Sequence, residues 1–330
     1  MSAPGEALSV NPDVAARPVL VTGASTGIGR HLTERLAALG HPVFAGARKP
    51  TDLEALGAIP NVTALRLDVS NPQDVADAVE AVQRRGLGLR GLVNNAGLGG
   101  LGLLTSWSDE ELRELFEVNA LAPIRLVRAF LPQLLVARGR VVNIGSQGGT
   151  LSMRYYGPYT MTKHALEAFN TALADELAPH GIGVSIVQPG GVESAIIDSA
   201  MPGIRRRFLR AGPPFEEEAA GILAEIDAPP PAPEEQAKRA EASESAENRK
   251  PSSPEIVTVA ALDALFAPAP RKRYLVGTRW EGGRVLRALI ERLLDANACP
   301  TLGYTVTELV AMLEEQAQAR AAIPAESARD

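Results

Sequence analysis

Cysteine is almost absent: Cys299 is the one example in 330 residues. An internal disulfide is therefore excluded, and a reducing, cytoplasmic setting is expected. The lone thiol is expected as a buried apolar filler. Histidine is sparse as well, and His31, His41, His164 and His180 are scattered without metal-ligand spacing, so no metal is expected. There is no basic excess: 33 Lys and Arg against 39 Asp and Glu leave a charge of −6, unlike a general nucleic-acid binder. Long apolar runs are missing too. The longest uncharged stretch, Gly91 to Ser108, is broken by glycines and by Asn94-Asn95, which argues against a spanning helix. Residues 1–17 carry Glu6 and Asp13 with no continuous apolar stretch, and are expected to be a flexible leader rather than a secretory signal.

What remains is a globular composition, 45% hydrophobic and 22% charged. From Pro18 to about Val187, short β-branched runs alternate with helical patterns. Strands are expected at Val19 to Thr22, Pro42 to Ala47, Val62 to Leu67, Gly91 to Asn94, Gly139 to Ile144 and Gly183 to Val187. Helices are expected at Ile28 to Leu39, from Pro72, from Asp109 and from Pro158 to Ala178. Such alternation makes an α/β fold with a parallel sheet, because parallel strands need crossover helices. Between Asp227 and Glu255 no side chain is both apolar and larger than alanine, apart from prolines, so a disordered insertion is expected. A helix at Glu255 to Phe266, a strand at Arg273 to Val276 and a helix at Gly283 to Leu294 follow. The last of these aligns Leu286, Leu289, Ile290, Leu293 and Leu294 on one face. Thr305 and Glu308 have capping-box spacing at the start of a final helix. One domain over residues 18–300 is expected, with a helical extension at 301–330.

Between the first strand and its helix lies Thr22-Gly23-Ala24-Ser25-Thr26-Gly27-Ile28-Gly29. Glycines at such a turn let the backbone approach a pyrophosphate, and the helix N-terminus offers free N–H groups. At the end of the second strand an acid would suit a ribose 2′-hydroxyl, whereas a cation suits a 2′-phosphate. Ala47 is followed by Arg48 and Lys49, so NADP(H) is expected, with NAD(H) as the alternative. Tyr159 and Lys163, four apart, share a helix face, and a lysine charge there would favour the phenolate. Such a tyrosine can exchange a proton with an alcohol or carbonyl oxygen.

Together with Asp68-Val69, Asn94 to Gly97, Asn119, Ser146 and Pro189-Gly190, these motifs make the chain resemble the short-chain dehydrogenase/reductase family. The likeness runs from about Pro18 to Ser194 and is looser beyond. It implies a doubly wound Rossmann fold on a seven-stranded parallel sheet, and a homodimer or homotetramer built through the helices of Asn119 and Tyr159. It also implies roles. Tyr159 is the general acid/base, and Lys163 binds the nicotinamide ribose and lowers the tyrosine pKa. Ser146 holds the substrate oxygen, while Asn119 bends its helix and holds a water. The cofactor would lie along Gly23, Ser25, Thr26, Gly27, Ile28, Gly29, Asp68, Val69, Asn95, Ala96 and Gly97, and then along Pro189, Gly190, Val192 and Ser194. Ser194 stands where the family usually has threonine.

The resemblance implies a lid at about residues 195–226. In the segments without motifs, Leu151, Met153, Tyr155, Tyr156, Ile196, Ile197, Met201 and Phe208 suit a lipophilic alcohol or ketone, such as a steroid or retinoid. The alternatives are a 3-oxoacyl-thioester reductase, with Arg205, Arg206, Arg207 and Arg210 on a carrier phosphate, and a non-catalytic dinucleotide sensor. Around Ala200 to Phe215 a helix starting at Pro202 is expected, with Met201, Ile204, Phe208 and Leu209 on one face. Its arginines would be solvated or would touch an anionic membrane.

Overall fold

Seven short apolar runs pair in parallel into one sheet, in the order β3-β2-β1-β4-β5-β6-β7. The strands are β1 (Val19–Val21), β2 (Val43–Ala47), β3 (Val62–Arg66), β4 (Gly91–Asn94), β5 (Arg140–Ile144), β6 (Gly183–Pro189) and β7 (Arg273–Val276). Residues 16–194, 196–229, 251–299 and 301–321 are described by a computed structural model. The core of the expected disordered insertion, residues 230–250, lies outside the described residues.

Alternation along the strands feeds two apolar layers, as a sheet covered on both faces requires. Val19 and Val21 turn to one layer with Leu32 and Leu36 of α1 (Gly27–Ala38) and Val257, Ala261 and Leu265 of α9 (Glu255–Phe266). Leu20 turns to the other, which holds Val75 and Val82 of α3 (Pro72–Gln83), Phe130 and Leu134 of α5 (Ala122–Ala137), and Leu173 of α6 (Gly157–Leu177). α9 thus comes from beyond the insertion to lie beside α1, where His31 Nδ1 meets Thr258 Oγ1 at 2.8 Å.

A short helix that sequence periodicity does not suggest, α2 (Pro50–Gly57), follows β2 with proline at its start. The single long helix expected from Asp109 is in fact α4 (Asp109–Phe116), a π-helical turn (Glu117–Leu121) and α5. Taken as one segment, Asp109–Ala137 is long and apolar enough to cross a membrane, but half of its apolar 18-residue stretch is buried inside the protein.

The lid region forms α7 (Ile196–Leu209) and α8 (Glu216–Asp227), around a small core of Leu103, Ile204, Phe208 and Ala219. Two expectations fail here. α7 begins well before Pro202, which lies inside it, and Leu209 is 74% exposed while Ile204 and Phe208 are buried. The ends of the insertion are also ordered: Asp227 closes α8, and Ser252 pairs with the chain at Gly191 and Glu193. Two helices complete the described chain, α10 (Arg279–Asn297) and α11 (Val306–Ala321). The aligned face of α10, Leu286 to Leu294, is exposed rather than packed. Cys299 is exposed as well, contrary to the expected filler role, because it follows the last turn of α10.

Candidate active site

The strand order turns between β1 and β4, and the loops at their carboxyl ends part there to open a crevice, as in doubly wound sheets generally. The crevice is a cleft of about 970 Å³. Gly23, Ser25, Thr26, Gly27 and Ile28 line it from the β1 loop, Arg48 from β2, Asp68 and Val69 from β3, and Asn95, Ala96 and Gly97 from β4. Ser146, Tyr159 and Lys163 line it from β5 and α6, and Pro189, Gly190, Val192 and Ser194 from β6.

Gly29 and Asn119 do not line the cleft, although the family likeness assigns them to the site. A Cβ on Gly29 would collide with the Gly23 carbonyl and with Asn95 Nδ2, so this glycine serves close helix–loop packing. Asn119 is buried in the π-helical turn. It accepts from Leu98 N at 2.7 Å and donates to Leu98 O at 2.9 Å and Thr162 Oγ1 at 3.2 Å. Thr162 Oγ1 in turn donates to Tyr159 O at 2.7 Å. Asn119 thereby ties the β4 loop to the first turns of the helix that carries Tyr159 and Lys163.

Other polar groups brace the cleft from behind. Thr22 Oγ1 accepts from Asn95 N and Ala96 N, each at 3.0 Å, and Asn95 Nδ2 donates to the Thr22 and Gly23 carbonyls, each at 2.9 Å. A buried amide chain that was not evident from the sequence runs from Asn94 Nδ2 to Asn143 Oδ1 (2.8 Å) and from Asn143 Nδ2 to Asn170 Oδ1 (3.0 Å). Asn94 and Asn143 face each other across β4 and β5. Paired asparagines in neighbouring strands are the available signal, but their register is visible only once the sheet is built.

Ser146 Oγ accepts from Gly148 N at 3.0 Å, fixed at the head of the turn after β5. Lys163 Nζ donates to Ile144 O at 3.0 Å and lies 5.8 Å from the centre of the Tyr159 ring. The expected lowering of the tyrosine pKa by the lysine is not what dominates. Burial pushes the Tyr159 hydroxyl up, and the hydrogen bond with Ser146 acts against that rise. Burial also brings the Lys163 ammonium down to about 8.

The cleft's outer wall carries a cluster that the sequence did not reveal. Arg206, Arg207 and Arg210 of the lid converge on Glu111 of α4 at 3.2, 3.3 and 2.9 Å. Arg207 is 6% exposed, stacks 3.5 Å above the Trp107 ring and donates to Leu101 O at 2.8 Å. Burial pushes the Glu111 carboxyl up, but the Ser108 N–H of the α4 capping box and then these cations outweigh it and hold the group down to about 2. Arg205 pairs with Asp227. The arginines expected to be solvated, or to meet a membrane or a carrier phosphate, therefore have carboxylate partners inside the chain.

Glu281 was likewise missed. It lines the cleft and caps α10, and Thr278-x-x-Glu281, a capping-box spacing straight after β7, was the signal that could have found it.

A doubly wound sheet with serine, tyrosine and lysine gathered over its switch point defines a dinucleotide-fold oxidoreductase scaffold. The short chain dehydrogenase family model matches residues 17–203, and the chain belongs to that family. Mitochondrial D-beta-hydroxybutyrate dehydrogenase of Rattus norvegicus is 38% identical over 190 residues, 54% of this chain and 55% of the relative. Retinol dehydrogenase 5 of Mus musculus is 40% identical over 178 residues, 52% of this chain and 55% of the relative. The chain thus spans about half the length of these curated relatives. The structure of an actinorhodin polyketide ketoreductase variant with NADPH superposes with a TM-score of 0.64 at 27% identity, covering 80% of this chain and 97% of that one.

Proposed function

We propose that this protein is an oxidoreductase that uses a nicotinamide dinucleotide, NADP(H) in preference to NAD(H), to interconvert a lipophilic secondary alcohol and its carbonyl compound. One observation carries the reading: Ser146, Tyr159 and Lys163 open onto the same cleft as the glycine turn of β1 and the loop after β6. The residues fit a dinucleotide. Gly23 and Gly27 take left-handed backbone angles, φ +61° and +54°. A Cβ at Gly23 would meet Ala96 Cα at 2.8 Å and one at Gly27 would meet Ser194 Cβ at 3.0 Å. Only glycine therefore lets this turn sit close against the β4 and β6 loops at the head of the cleft, where a pyrophosphate would approach the backbone. When bound, the dinucleotide supplies hydride exchange between its nicotinamide ring and the carbonyl carbon.

The chain's own groups do the rest. Tyr159 passes its hydroxyl proton to the substrate oxygen, or takes it back in the oxidative direction. Ser146 orients that oxygen by a hydrogen bond. Lys163, when charged, stabilises the phenolate left on Tyr159. Leu98, Leu101, Leu151, Met153, Ile196 and Ile197 give the substrate end an apolar lining. The carrier-phosphate alternative loses ground because its arginines already hold Glu111 and Asp227.

The preference for NADP(H) rests on Arg48, whose side chain is 67% exposed at the rim, 4.0 Å from Asp68. Arg48→Ala is expected to weaken NADPH binding roughly ten- to hundredfold and NADH binding much less, as loss of a charge-assisted contact predicts. Equal losses for both dinucleotides would remove that preference from the account. An NADPH-oxidation screen over steroids, retinoids, acyl thioesters and simple ketones tests the substrate class. Turnover confined to small polar carbonyls would contradict the lipophilic reading.

A further inference from the structure

One carboxylate is built into the loop that follows β6. Glu281 Oε1 accepts from Gly191 N at 2.6 Å, and its Oε2 accepts from Thr278 N at 2.8 Å. The same side chain therefore caps α10 and holds the Gly190-Gly191 turn. Room has been made for it on two sides: a Cβ on Gly190 or on Gly277 would collide with the carboxylate, and Gly277 has a φ of +143°. Glu281, Gly190 and Gly191 all line the cleft. Arg284, one turn further along the helix, turns its guanidinium to the Trp280 ring at 4.7 Å and to Met153 Sδ at 2.6 Å.

We propose that Glu281 is a positioning residue whose negative charge sets the discrimination between the oxidised and reduced dinucleotide. The inference rests on the oxidoreductase reading above and on the family likeness, which implies that the nicotinamide lies against Gly190 and Val192. The oxidised ring carries a positive charge that the reduced ring lacks. A fixed carboxylate on the wall of a partly enclosed cleft favours the cationic form. The bound pair is thereby biased toward giving up hydride, so that reduction of the carbonyl compound is favoured over oxidation of the alcohol. The hydrogen bonds to Gly191 and Thr278 hold the turn. The charge sets the bias, and the two contributions are separable.

The test is equilibrium binding of NADP+ and of NADPH to the full chain, with no substrate present. If the wild-type protein prefers the NAD pair, the ratio is read on NAD+ and NADH. Glu281→Gln keeps an acceptor for Gly191 N and removes the charge, and Glu281→Ala is a second neutral variant. Both are expected to raise the ratio of the oxidised to the reduced dissociation constant about three- to tenfold, as loss of one nearby charge implies. Glu281→Asp keeps the charge and is expected to stay within about twofold of wild type. An unchanged ratio in the two neutral variants, with both dinucleotides still bound, would overturn the proposal. So would failure of both neutral variants to fold while Glu281→Asp folds, since the carboxylate would then be purely structural. If the wild-type protein binds neither the NADP pair nor the NAD pair, the functional reading itself fails, which is a different result.

Discussion

Lys163 has a folded-state pKa of about 8, against 10.5 in an unfolded chain. Its side chain is 7% exposed and donates to Ile144 O, and burial is what disfavours the charge. The folded state therefore binds fewer protons than the unfolded state between those two values, so stability rises with pH across that window. The cost of burying the charge is in full force below pH 8 and is relieved as pH approaches 10.5, by about 3 kcal/mol at most. Urea denaturation of wild type and Lys163→Met from pH 6 to 10 should show the wild type gaining stability relative to the variant above pH 8. A difference that stays flat with pH would contradict the assignment. In the proposed mechanism Lys163 acts on Tyr159 in its charged form, below the same value, which is the form that burial disfavours. Lys163 illustrates what was legible and what was not. Its spacing from Tyr159 was plain in the sequence, whereas the enclosure that raises one pKa and lowers the other depends on chain segments far apart in sequence.

Among elements, those with strong local signals were legible. Apolar runs bounded by glycine gave the strands, and capping residues such as Ser108 gave helix starts. α2 was not, because eight residues opened by Pro50 show too little periodicity, and the start of α7 was misplaced because Pro202 is the stronger local signal. The latch of α7 onto α4 was illegible for another reason. Glu111 and its arginines are some 95 or more residues apart, and only the folded lid brings them together. The Glu111 side chain is 12% exposed, and its carboxyl falls from the ordinary 4.5 to about 2. A depressed carboxyl contributes stability that is fully present above pH 4.5 and is lost as pH falls through 2. Glu111→Gln leaves three guanidiniums facing one another, and a loss of about 1–3 kcal/mol is expected. Amide hydrogen exchange should then quicken in α7 by about tenfold or more while the β1 to β5 amides stay protected. Uniform quickening across the sheet, or none in α7, would mean that the arginines do not latch the lid.

At the scale of the whole molecule, the sheet is finished by the segment beyond the insertion. Val257, Thr258, Ala261, Ala264 and Leu265 of α9 are fully buried beside α1, and β7 covers the edge of β6. A chain ending at Asp227 would lack these side chains and uncover their partners Leu32 and Leu36 of α1, together with the edge of β6, at about 1.5–3 kcal/mol for each large apolar side chain, against a usual net stability of about 5–15 kcal/mol. It should show no cooperative unfolding transition. A sharp transition with wild-type denaturant dependence would show that the first six strands fold alone. The completed sheet places Tyr159 over a cleft suited to a dinucleotide, and the central claim is that this tyrosine moves the proton. Tyr159→Phe removes the hydroxyl and keeps the ring. The direct measurement pairs NADPH binding with NADPH oxidation on the best carbonyl substrate of the screen. The account predicts binding within about threefold of wild type and turnover lower by about a hundredfold or more, a hundredfold being the lower end of what general acid catalysis contributes. Turnover near wild type with intact binding would contradict it.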